Sequence, residues 1–177
     1  MPTIILDPGH GGKDIGAAGN GLIEKKLALE FALNVELFLK KKRIPVYLTR
    51  KTDVFVSLDE RTREANRIKG DLFVSFHHNA GGGTGFESYI YPGLKETITG
   101  EIQKRMHTDI MSFLKVKDRG RKEADFAVLR QTKMPAILLE NLFLDSVDDA
   151  SLLKKANFVD EMCHIVAESI ADIAVHL

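Results

Sequence analysis

Three short apolar runs end on residues that can hold a metal or move a proton. Thr3–Leu6 leads into Asp7-Pro8-Gly9-His10-Gly11-Gly12, Leu72–Phe76 into His77-His78-Asn79-Ala80, and Ala136–Leu139 onto Glu140. Glu24 opens a helical pattern after a glycine-rich loop, so it can lean back over the same edge. Two imidazoles and a carboxylate form a common catalytic zinc set, in which the fourth tetrahedral position is left to water. Zinc lowers the pKa of that water from roughly 15.7 to about 7. A second carboxylate outside the metal shell can take the proton and pass it to a leaving group, worth about 10² to 10⁴ in rate. That factor corresponds to about 3 to 5 kcal/mol of barrier.

Each residue also has a plainer reading. His10 in a glycine-rich loop can be an exposed turn residue, and Glu24 can simply favour a helix N-terminus. His77 and His78 compete, because strand alternation sends them to opposite faces and only one easily joins a shared site. Glu140 is hardest to explain away, since an acid closing a very apolar strand must be paired, solvated or functional. No short zinc motif of the His-Glu-x-x-His kind occurs. Phosphate loops fit poorly: Gly12-Lys13 is followed by Asp14, position 7 is Asp, and Gly9-x-Gly11 lacks the third glycine. No Gly-x-Ser-x-Gly elbow is present, and Cys163 falls in a helical pattern, which disfavours nucleophilic hydrolases.

The elements that must position these residues alternate. Thr3–Leu6, Pro45–Leu48, Leu72–Phe76, Glu87–Tyr91 and Ala136–Leu139 read as strands, and Phe126–Leu129 as a weaker sixth. Leu27, Phe31, Val35 and Phe38 repeat at helical spacing and end in Lys40-Lys41-Lys42-Arg43. Ser57 with Glu60 reads as a capping box for a helix through Ile68. Thr97–Leu114 and Asn157–Leu177 complete the helices. The expected fold is α/β: a single domain over residues 1–177, with a mixed, mostly parallel twisted sheet of about six strands and helices on both faces. The step from Leu72–Phe76 to Glu87–Tyr91 has no helix, so those strands are expected to run antiparallel. In such sheets ligands bind beyond the carboxyl ends of the strands.

Composition bounds the possibilities. The 177 residues carry 25 Lys plus Arg against 25 Asp plus Glu, a balance that argues against general nucleic-acid binding. One cysteine excludes an internal disulfide and multi-cysteine metal sites, so a metal here needs nitrogen and oxygen ligands. No apolar run reaches the roughly 20 residues of a membrane span. The start, Met1-Pro2-Thr3-Ile4-Ile5-Leu6-Asp7, lacks the basic segment and apolar length of a signal peptide. Action outside the cell would therefore need another exit route or a longer parent protein.

At these residues the chain resembles the zinc-dependent N-acetylmuramoyl-L-alanine amidases of the type-3 amidase family, nearest to the sporulation and prophage types of Bacillus and its relatives. Ile5-Leu6-Asp7-Pro8-Gly9-His10-Gly11-Gly12 resembles the first zinc loop, and Gly21-Leu22-Ile23-Glu24-Lys25 the segment with the carboxylate ligand. Phe73-Val74-Ser75-Phe76-His77-His78-Asn79-Ala80 is similar to the second histidine segment, and Met134-Pro135-Ala136-Ile137-Leu138-Leu139-Glu140 to the one ending in the catalytic glutamate. Leu58, Arg61, Ala65 and Asn66, with Asp118-Arg119-Gly120 and Val128-Leu129-Arg130, add to the likeness. Departures are Asn141-Leu142-Phe143, where relatives usually have Gly-Phe, and Asp125-Phe126-Ala127, where some have Asn-Phe-His.

The resemblance implies Zn2+ held by His10, Glu24 and His77, with Glu140 as catalytic acid and base, and it selects His77 over His78. It implies a peptidoglycan substrate, cleavage between N-acetylmuramic acid and L-alanine, and action at the cell wall or on lysis. A monomer without a nucleic-acid partner or membrane span is expected. The alternatives are another zinc peptidase or deacetylase of similar fold, or a wall-binding module without turnover.

Overall fold

The computed structural model describes residues 1–177. In chain order the elements are β1 (Ile4–Pro8), β2 (Ala18–Gly19), β3 (Leu22–Ile23), α1 (Glu24–Lys41), β4 (Val46–Leu48), α2 (Leu58–Ile68), β5 (Leu72–Asn79), β6 (Phe86–Ile90), α3 (Ile98–Phe113), β7 (Asp118–Glu123), α4 (Ala127–Arg130), β8 (Ala136–Phe143), α5 (Val147–Leu153) and α6 (Ala156–Ala174). Six strands form the main sheet in the order β4-β1-β5-β8-β6-β7, and β2 pairs with β3 in a small hairpin. The run β4-β1-β5-β8 is parallel. β6 joins β8 antiparallel and carries β7 parallel to itself. β5 and β6 do run in opposite directions, as expected, but β8 lies between them.

Strand alternation splits the apolar side chains into two layers. Ile4, Leu6, Leu72, Val74, Phe76, Ile137 and Leu139 face a 29-residue cluster that includes Phe31, Val35, Met106 and Val166 of α1, α3 and α6. Ile5, Phe73, Ala136 and Leu138 face a cluster of 7 buried residues that takes Ala65 from α2 and Val128 and Leu129 from α4. The second face is therefore thinly covered. Two short helices leave much of it open, and a groove forms there.

One expectation needs correction. Phe126–Leu129 is not a strand: Val128 and Leu129 are adjacent and both buried, which one turn of α4 achieves and an alternating strand does not. The sixth strand is instead β7, Asp118-Arg119-Gly120-Arg121-Lys122-Glu123, which contains no apolar residue. It is an edge strand, where charge protects against further pairing. Its hydrogen bonds come from the neighbouring strand, so no apolar period marks it in the sequence.

Ser57 does cap α2. Its side chain accepts from Glu60 N, and the Glu60 side chain accepts from the Ser57 backbone N–H. Ser57→Ala should lower unfolding free energy by about 1 kcal/mol, moving Tm down by roughly 2–4 °C. Urea titration reads the first quantity and a thermal scan the second; an unchanged midpoint would mean that the cap contributes nothing.

Candidate metal centre

Alternation carries on past the hydrophobic part of each strand. Beyond Ile5, Phe73 and Leu138, the thin face receives Asp7, then Ser75 and His77, then Glu140. His77 and Glu140 are register partners on adjacent strands. His78 falls on the other face, almost fully buried, with its ring 6.2 Å from that of Phe31. Burial pushes its imidazole down to about 4, and neither ring nitrogen has a partner. The choice between the two histidines is thus made by the pleat.

After β1 the chain turns sharply, with His10 at φ 59°. Backbone carbonyls in this turn find no strand partner and are taken by two buried arginines. Arg61 Nη1 donates to Pro8 O at 2.6 Å and Nη2 to His10 O at 2.6 Å. Arg50 Nε donates to Pro8 O at 3.0 Å, and its Nη2 to Gly9 O at 2.8 Å. Arg61 is itself anchored by Asp7 Oδ1 at 2.7 Å, which also accepts from Thr49 Oγ1 at 2.6 Å. Ser75 Oγ donates to Asp7 Oδ2 at 2.7 Å.

On this loop the imidazole of His10 meets Glu24 and His77. Their candidate ligand atoms all lie within 4.8 Å of one another. Glu24 Oε1 is 3.1 Å from His10 Nε2 and 2.9 Å from His77 Nδ1. Ala17 N–H donates to Glu24 Oε2 at 2.7 Å, and His78 N–H donates to Oε1 at 3.1 Å. Burial alone would raise the Glu24 carboxyl, but hydrogen bonds from His10, His77 and Ala17 hold it well below the ordinary carboxylate range. Burial would also lower His10, yet Glu24 and Asp14 together raise it. Asp14 Oδ2 lies 2.9 Å from His10 Nδ1. A carboxylate on one imidazole nitrogen orients the other toward a metal.

The packing leaves space for this cluster by design of the loop. A Cβ on Gly9 would lie 2.4 Å from the His77 ring, and one on Gly16 would lie 2.5 Å from Glu24 Oε2 and 2.7 Å from His10. Nitrogen and oxygen donors, backbone kept clear of them and an orienting carboxylate fit a divalent transition metal such as zinc. The three side chains can therefore hold a metal ion.

The cluster opens into a groove of about 460 Å³, a size typical of ligand sites. Phe55, Val56 and Leu58 line one part of it and Phe126, Ala127 and Val128 another. Glu140 lines the floor beside His77, and its Oε2 is buried without a hydrogen-bond partner. Burial pushes its carboxyl up to about 7. A proton-transfer group with such a pKa matches neutral operation.

Sequence reasoning brought together His10, Glu24, His77 and Glu140. It missed Asp14, whose only signal is its place four residues after His10. It also missed the roles of Asp7 and Arg50. A row of Ser88 Oγ, His107 Nδ1 and Nε2, and Asp118 Oδ1, with both gaps 2.9 Å, has the residue types of a nucleophilic triad. Ser88 is fully buried on the α3 side of the sheet, away from the groove, so the row ties α3 to β6 and β7. Cys163 is buried as well, and its thiol is pushed up by burial.

Asp7 and Arg61 make a buried pair whose separation is testable. Removing one partner of such a pair costs about 3–5 kcal/mol, so Asp7→Ala should lose that much in urea titration. Burial raises the Asp7 carboxyl, but the Arg61 charge and the hydrogen bonds from Thr49, Arg61 and Ser75 bring it below its ordinary value. Its contribution is thus full above the ordinary Asp pKa of about 4 and is lost as pH falls through the depressed folded value. The loss of stability between wild type and Asp7→Ala should shrink in strongly acidic solution; a pH-independent difference would contradict this account.

Comparison with known proteins supplies the family. Residues 4–172 match the family model described as N-acetylmuramoyl-L-alanine amidase. The sporulation-specific N-acetylmuramoyl-L-alanine amidase of Bacillus subtilis (strain 168) is 46% identical over 92% of this chain, and the endolysin of Bacillus phage SPP1 is 49% identical over 96%. The chain spans 64% and 65% of the length of those two relatives. The solved catalytic domain of CwlV, an N-acetylmuramoyl-L-alanine amidase from Bacillus (Paenibacillus) polymyxa var. colistinus, superimposes with a TM-score of 0.92 at 32% identity, covering 99% of both chains. On a match that runs over nearly its whole length, this chain belongs to the N-acetylmuramoyl-L-alanine amidase family.

Proposed function

We propose that residues 1–177 form one catalytic domain that hydrolyses the amide between N-acetylmuramic acid and the L-alanine of the stem peptide, using zinc. The observation that carries this reading is the convergence of His10, Glu24 and His77 in a groove where Glu140 faces the same space. His10, Glu24 and His77 hold the metal, with Asp14 orienting His10. Bound there, zinc supplies Lewis acidity toward the amide carbonyl and a water that ionises near neutral pH. Glu140 takes the proton of the attacking water and returns it to the departing amine of L-alanine. The apolar walls around it keep bulk water from competing for that proton. Arg50 and Arg61 keep the loop of His10 in place throughout.

The site of action is the cell wall, reached from outside the cell or on lysis, and the protein works as a monomer. No helix of the chain is long and apolar enough to cross a membrane.

Glu140→Gln should lower turnover by about 10²- to 10⁴-fold while leaving zinc content near wild type by elemental analysis. His10→Ala and His77→Ala should lose the zinc itself. Full activity in the Glu140 variant would remove it from the chemistry, and wild-type zinc in both histidine variants would remove them from the ligand set. Mass spectrometry of digested muropeptides should show free stem peptides starting with L-alanine and intact glycan strands. Cuts within the peptide, or released acetate, would favour a peptidase or deacetylase instead.

A further inference from the structure

Beside Glu140, away from the metal ligands, lies a charged cluster that the proposed reaction does not use. Glu87 on β6 stands directly opposite Glu140 on β8 in the antiparallel register, so the two carboxyls share the thin face. The Glu87 side chain is 2% exposed. It accepts from Asn79 Nδ2 at 2.6 Å, Tyr89 OH at 3.0 Å, Arg119 Nε at 2.9 Å and Lys122 Nζ. Both lone-pair regions of both oxygens are thereby occupied. One carboxylate thus holds two cations.

The cations are not spent on Glu87. Their side chains are 26% and 36% exposed. Arg119 engages Glu87 through Nε, which leaves the two terminal nitrogens of its fork for a ligand. Its guanidinium is braced over the Phe143 ring, 4.7 Å from the centroid. Asp118 and Arg119 start β7, and β6 and β7 run opposite to β8. Arg119 therefore sits at the sheet edge that carries Glu140 and the metal cluster. A planar fork held by one bond and one ring, next to a long lysine, suits bidentate capture of a carboxylate.

Sheet order gives this subsite a direction. The metal ligands come from the β1 and β5 side, Glu140 stands on β8, Glu87 follows on β6 and the two cations on β7. An acid that protonates the leaving amine must have that amine on its own side. The peptide attached to the amine then extends over β6 and β7. We infer that Arg119 and Lys122 form a subsite for a carboxylate on the leaving stem peptide, carried by the residue that follows L-alanine. This rests on the amidase reading and adds to it a preference between the free acid and its carboxamide.

Steady-state kinetics on two synthetic muramyl peptides, alike except for a free carboxylate or a carboxamide at that residue, tests the inference. The wild-type protein should favour the free acid in kcat/KM by about tenfold. Arg119→Gln and Lys122→Gln should bring the ratio toward one, while Lys122→Arg, which keeps the charge, should retain most of it. A merely structural role would lower both substrates alike and leave the ratio as it was. A wild-type ratio near one, or a ratio unchanged in both glutamine variants, overturns the subsite. A folded, zinc-loaded wild type that cleaves neither substrate overturns the amidase reading, and the subsite falls with it. Glu87 loses a partner in each variant, so a thermal scan accompanies each one, and the ratio is read at a temperature where the variant is folded.

Discussion

Everything at this site hangs on how three backbone carbonyls are satisfied. The chain leaving β1 must turn upward to present His10, and in doing so Pro8, Gly9 and His10 give up any strand partner for their oxygens. A buried, unpaired carbonyl costs free energy comparable to a lost hydrogen bond. Arg61 and Arg50 meet that demand with guanidinium forks, which can serve several acceptors from one side chain. Putting such a charge indoors is itself unfavourable, and Asp7, one turn of the pleat before the loop, compensates Arg61. The loop, the helix α2 that supplies Arg61 and the strand that supplies Asp7 are therefore one mechanical unit.

The thin cover on one sheet face is the second determinant. A fully covered parallel sheet would bury Glu140 against a helix, with no room for substrate. Here α2 and the single turn of α4 leave a gap, and alternation directs His77 and Glu140 into it. The same alternation sends His78 and Asn141 into the thick core, where neither side chain finds a hydrogen-bond partner. Neither can serve the groove from that face. Just past Glu140, Leu142 adopts φ 71° where the pairing of β5 and β8 slips by one residue. A bulge of this kind bends a strand next to a functional residue.

Much of this was legible in the residues because it follows short-range rules. Runs ending on His10, His77 and Glu140 mark strand ends, and Ser57 with Glu60 marks the start of α2. Alternation narrowed His77 and His78 to one, and the family likeness picked His77. What escaped was determined by distant partners. β7 has no apolar face and exists because β6 offers it an edge. The residues of α4 read as a strand because four positions are too few to separate a period of two from one of 3.6. Asp14, Arg50 and Glu87 look like ordinary surface charges until the fold brings their partners to them.

The grip on the His10 loop has one more consequence. In many small metalloproteins the ion is the keystone, and removing it collapses the chain. Here the loop of His10 is held by arginine, aspartate and the sheet. The order of this turn thus resides in the protein's own hydrogen bonds, and the fold itself sets the three donor side chains side by side before anything binds them.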